Sequence, residues 1–116
     1  MKSIHDILAG LPLSGVSRNT QLIALLPILE HPYVVVVIDE LQQHGIDTSL
    51  LVQFAIKDGS DYWRGRAIQW LIDGHPINLE TSAILECFGH GHVGKQKDRH
   101  RTLRLAKHQI ITEAEQ

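Results

Sequence analysis

The residues best suited to chemistry lie together late in the chain, in Cys87-Phe88-Gly89-His90-Gly91-His92. A thiolate with imidazoles is a ligand set that zinc favours, and Cys87 and His90 stand three apart, about one helical turn. No paired Cys-x-x-Cys knuckle accompanies them. Cys87 also fits the apolar face of its helix, where an isolated cysteine is usually a small buried hydrophobe. The expectation is no metal and no cofactor, with Cys87, His90 and His92 the one group that could hold an ion. The glycines of the 89–94 loop could bring backbone amides to an anion ahead of the next helix. The loop lacks the Gly-Lys-Ser/Thr ending of a phosphate loop and follows a helix pattern, so it reads as a connection. Asp58-Gly59-Ser60-Asp61 opens like a calcium loop, but Tyr62-Trp63-Arg64 then occupies ligand positions, leaving a helix stop and start. No spacing pairs a nucleophile with a base or brings two carboxylates together, and the chain is read as non-enzymatic.

Residues suited to binding form two stripes. Between His90 and His108, six lysines and arginines face Asp98 alone, while the first 89 residues hold ten acids against five bases. Lys97, Arg101, Arg104 and His108, spaced 4, 3 and 4, share a helix face, with Leu103, Ala106 and Ile110 turned toward a core. Such a face can neutralise phosphates or meet an acidic protein, although a sequence pI near 6.4 weighs against general nucleic-acid binding. The second stripe is Tyr62, Arg66, Gln69 and Asp73, beside Trp63 and Trp70, which are seven apart on a core face. Tyrosine and arginine are enriched at interaction hot spots, which makes Tyr62, Arg66 and Gln69 candidate partner-binding residues. Gly65 inside this helix suggests close approach of another backbone.

Glycines mark the elements that carry these stripes. Gly45, Gly59, Gly74 and Gly89 recur at nearly even intervals and suit the residue that closes a helix. Apolar residues at i, i+3, i+4 and i+7 place seven helices near 3–10, 18–31, 33–44, 48–58, 61–73, 79–89 and 96–114. Pro27 interrupts the second, and Pro32 opens the third at a helix-start position. Ser17, Asp47, Ser60 and Asn78 stand where a side chain can cap a first turn. The β-branched run 34–38 competes as a strand, but the pattern continues through Leu41 without a turn and no second strand exists to pair with it, so helix is expected. Val35 and Val36 on the third helix, and Val52 and Ile56 on the fourth, make those helices apolar on more than one side, hence central or in contact with another subunit.

The pairs Val16-Ser17, Ile46-Asp47 and Ile77-Asn78 recur 30 and 31 residues apart. In that spacing, over roughly 17–113, the chain resembles helical-hairpin repeat proteins of the HEAT-like kind. The resemblance implies stacked antiparallel helix hairpins and no site residue. One all-α domain over 1–116 is expected, with an aliphatic core, since only six residues are Phe, Tyr or Trp. A single cysteine, no signal-like start and no long apolar run point to a cytoplasmic protein that does not enter the membrane. The functional expectation is a protein-interaction module, an adaptor or small homo-oligomer. The alternative is a nucleic-acid or acidic-partner binder acting through the basic C-terminal helix.

Overall fold

Seven α-helices and one 3-10 turn make up the computed structural model, which describes residues 3–9 and 17–114, with side chains followed to residue 107. They are α1 (Ile4–Ala9), α2 (Arg18–Leu25), the 3-10 turn Leu26–Glu30, α3 (Val35–Gln43), α4 (Thr48–Asp58), α5 (Asp61–Ile72), α6 (Leu79–His90) and α7 (Gln96–Ala114). No strand occurs among the described residues, and the fold is all-α.

Local causes set the boundaries. Ser17, Asp47 and Asn78 accept hydrogen bonds from the amides of Thr20, Leu50 and Thr81 at 3.3, 3.1 and 2.8 Å. Ser60 holds the equivalent place, but its side chain makes no cap bond. Pro27 ends α2, and the chain tightens into the 3-10 turn. Pro32 lies ahead of α3 rather than in its first turn: Val34 is the extended N-cap and Val35 the first helical residue. The valine run is thereby the start of a helix: the Val34 carbonyl accepts from the Ile38 amide at 3.1 Å, and Val35 to Val37 form the first turn, which no side chain caps.

Two helices end on the same motif, 29 residues apart. Gly45 (φ 70°) follows α3, with its amide on Gln42 O and that of Ile46 on Leu41 O, both at 3.0 Å. Gly74 (φ 120°) follows α5, with its amide on Leu71 O at 3.3 Å and that of His75 on Trp70 O at 3.0 Å. Each is a Schellman closure, which requires the left-handed residue that glycine supplies. Gly89 is not a stop. α6 runs on to His90, and Gly89 sits where a Cβ would come within 2.6 Å of Leu103 Cδ2 and 3.0 Å of Thr102 Oγ1. The close approach expected at Gly65 is therefore found at Gly89, because nothing lies within 4 Å of a Cβ built on Gly65.

Hairpins α4–α5 and α6–α7 lie side by side, with α4 against α6 and α5 against α7. Leu51, Val52, Ala55 and Ile56 make α4 fully buried on several sides, as a central helix should be. Val35 and Val36 behave differently and stand 74% and 77% exposed. The core closes with Leu41, Ile68, Trp70, Leu85 and Ala106, beneath Ile28 and Leu29 of the 3-10 turn. A buried bond from Gln53 Nε2 to Thr81 Oγ1, 2.9 Å, ties α4 to α6.

Candidate functional site

Arg64 organises the outer end of the hairpins. It heads the row Arg64, Ala67, Ile68, Leu71 that α5 turns inward, and is 4% exposed. Its Nε donates to Ile56 O at 2.9 Å and its Nη2 to Gly59 O at 3.1 Å, satisfying carbonyls left free at the end of α4. Nη1 pairs with Asp61 Oδ1 at 2.7 Å. The guanidinium lies 4.6 Å from the Phe88 ring centroid, a cation–π contact between α5 and α6. Gly94 (φ 78°) presses on the same stack, with no room for a side chain. Arg99 Nη1 donates to Gly94 O at 2.8 Å, so the loop that follows α6 is tied to α7.

Phe88 and this loop form one end of a hollow of about 620 Å³ against α6. Ala83, Ile84, Cys87 and Val93 supply apolar lining, with Lys57 and Glu80 as its exposed charged residues. Among the described residues neither charge is in an ion pair. Glu80 belongs to the first turn of α6. Lys57 ends α4, which runs in the same direction as α6, since Gln53 meets Thr81 and Arg64 joins Ile56 O to Phe88. The acid therefore stands near the start of the hollow and the lysine beside its second half. Leu79, 72% exposed, precedes Glu80, and Leu79, Ala83, Cys87 and Gly91 form an i, i+4 row. Cys87 was expected to be buried and is exposed, because α6 turns Thr81, Ser82 and Leu85 toward the core instead.

The stripe of Tyr62, Arg66 and Gln69 is engaged within the molecule. Arg66 donates to Leu29 O at 3.1 Å and Glu30 O at 2.9 Å, closing the 3-10 turn. Tyr62 hydroxyl donates to Glu30 Oε2 at 2.8 Å, and that bond holds its pKa above the usual phenol value. Gln69 donates to Asp73 Oδ1 at 3.0 Å and accepts from Arg101 Nη2 at 3.3 Å, so the two sequence-derived stripes meet.

On α7 the free basic face is rotated from the one the spacing gave. Asp98, Thr102 and Ala106 are the buried line, and Arg101 folds inward toward Gln69 and Asp98. Lys97, His100, Arg104 and Lys107 are the exposed set, spaced 3, 4 and 3. The side chain of His108 and that of Ile110 lie outside the described residues. Leu103 is half-buried and packs against Gly89.

His75 is 5% exposed, its ring grouped with those of Tyr33 and Trp70. Its Nδ1 lies 2.8 Å from Pro76 O, which can only accept, so Nδ1 carries the proton. Nε2 then accepts from the Thr48 hydroxyl at 2.9 Å. Burial holds this ring below the ordinary imidazole pKa, against the Pro76 hydrogen bond and the charge of Asp47. Among the described residues no three His, Cys, Asp or Glu side chains converge as a metal site, so Cys87, His90 and His92 are not brought together as one.

The chain matches no protein-family model, no curated protein and no solved structure. Among the described residues no helix is long and apolar enough to cross a membrane.

Proposed function

We propose that this protein is a non-enzymatic interaction module, an adaptor or small homo-oligomer, and that it docks partners on the outer face of α6. The observation that carries this reading is the hollow of about 620 Å³, left open by the described residues, apolar in its lining and bordered by Lys57 and Glu80. Internal contacts support its shape, since the buried Arg64 fixes Phe88 while the half-buried Arg99 fixes the loop bearing Val93. A preformed apolar surface with charges at its border is the anatomy of a protein interface. Capture of native partners with the wild type and with Ala83→Glu tests it. The reading expects proteins retained by the wild type and lost from the variant, whose exposed site tolerates the change. Identical capture by both chains would oppose it.

A second reading has its own support: Lys97, His100, Arg104 and Lys107 are aligned and exposed on α7. This face would bind nucleic acid or an acidic protein. Titration of a labelled duplex and a single strand at several salt concentrations should give an affinity that falls steeply with salt and is abolished by charge reversal at Arg104 and Lys107. Absence of binding at low salt removes the nucleic-acid form of this reading.

A further inference from the structure

We infer that the occupant of the α6 face is a second copy of this chain, bound about a two-fold axis with the two α6 helices antiparallel. The inference rests on the docking role proposed above and commits it to one partner. A two-fold interface must be self-complementary, because the same patch meets itself. This patch has that property in both shape and charge.

In shape, the row along α6 carries one large residue, Leu79, at its head, followed by Ala83, Cys87 and Gly91. Leu79 is 72% exposed at the very start of its helix. The hollow runs along the same helix from Glu80 to Gly91, just past the knob, and the small Cys87 and Gly91 leave room at its far end beside Phe88 and Val93. Antiparallel apposition places Leu79 of each copy into the hollow of the other, as rows of i, i+4 residues pack in helix pairs. Two concave surfaces would not seal against each other; a knob and a hollow on each copy do. Val93, 69% exposed, adds apolar surface at the hollow's far side.

In charge, Glu80 follows the knob and Lys57 stands beside the hollow, and neither has an ion-pair partner among the described residues. The same apposition brings Glu80 of each copy toward Lys57 of the other. Symmetry forms this pair twice, whereas a parallel arrangement would set like charges together. α6 is 12 residues long, or about 18 Å at the helical rise. With the flanking loop it makes a small interface, at or below about 1,200 Å² in total, the size class of weak and transient association.

Sedimentation equilibrium over a range of concentrations tests this. The expected result is a mass rising from 13.0 kDa toward twice that value. Leu79→Glu should leave a monomer throughout, with an unchanged circular dichroism spectrum because Leu79 is exposed. Lys57→Glu and Glu80→Lys should each weaken the dimer about tenfold, two exposed pairs having turned from attraction to repulsion. The double variant restores both pairs in swapped order and should regain wild-type affinity. A single mass of 13.0 kDa at every concentration overturns the proposal, as does a dimer indifferent to Leu79→Glu or a double variant that is not rescued. The wider docking reading has its own readout in the Ala83→Glu capture, so a monomer that still captures partners through that residue loses only the dimer.

Discussion

Arg64 shows how one side chain can hold a fold together while looking like a surface charge. It stands in Trp63-Arg64-Gly65-Arg66, a string whose arginines invite a reading as a solvated or partner-binding stripe. The signal of burial was in the spacing: Arg64 is four before Ile68 and seven before Leu71, both buried, so it lies on the core row. Pattern reading passes over it because a cation at the head of an apolar row is counted as the row's edge. Arg64→Met keeps the stem but strands the carbonyls of Ile56 and Gly59, and should cost about 2–4 kcal/mol in denaturant unfolding. His75 gives a second prediction at this scale. The folded state holds its ring neutral, with a pKa below the ordinary 6.5. Its contribution is therefore complete above about pH 6.5 and declines as pH falls from there toward the lowered folded value, because the unfolded chain takes up the proton first. The stability gap between wild type and His75→Gln should shrink between pH 7.5 and 5. A gap constant across that range would exclude the linkage.

At the scale of elements, most boundaries were legible because caps and closures are local. Asp47, Asn78 and Ser17 bind the amides expected of them, and Gly45 and Gly74 adopt the left-handed conformation their places imply. What could not be read was which glycine answers to a neighbour rather than to its own backbone. Gly65 and Gly89 are both inside helices, and only tertiary packing separates them. Their alanine variants should move in opposite directions. Gly65→Ala meets nothing within 4 Å and should raise stability by about 0.5–1 kcal/mol through helix propensity. Gly89→Ala drives a methyl into Leu103 and Thr102 and should lower it by about 1–3 kcal/mol through overpacking. Thermal melts of the two variants measure both, and a stabilised Gly89→Ala would contradict the α6–α7 approach. The rotation of α7 has a similar cause. Its spacing alone admitted Leu103 and Ala106 as the inner line, but Asp98 and Thr102 are buried with Ala106, which turns Arg101 inward and leaves Lys97, His100, Arg104 and Lys107 outside.

Across the whole molecule, the all-helical architecture followed from apolar periodicity, whereas the candidate site did not. The hollow depends on how α4, α6 and the 91–94 segment come together, and its apolar residues read in sequence as ordinary core. Cys87 is the clearest instance, because a residue type that is normally buried faces outward on the proposed docking face. That placement also makes the single cysteine a reporter within the face. With excess maleimide, the rate of Cys87 labelling can be followed as protein concentration rises. If the outer face of α6 is where this protein meets its partner copy, labelling is fast in dilute solution and slows as the dimer fills. A thiol that reacts slowly at every dilution, or at one rate at every concentration, would contradict that role for the face.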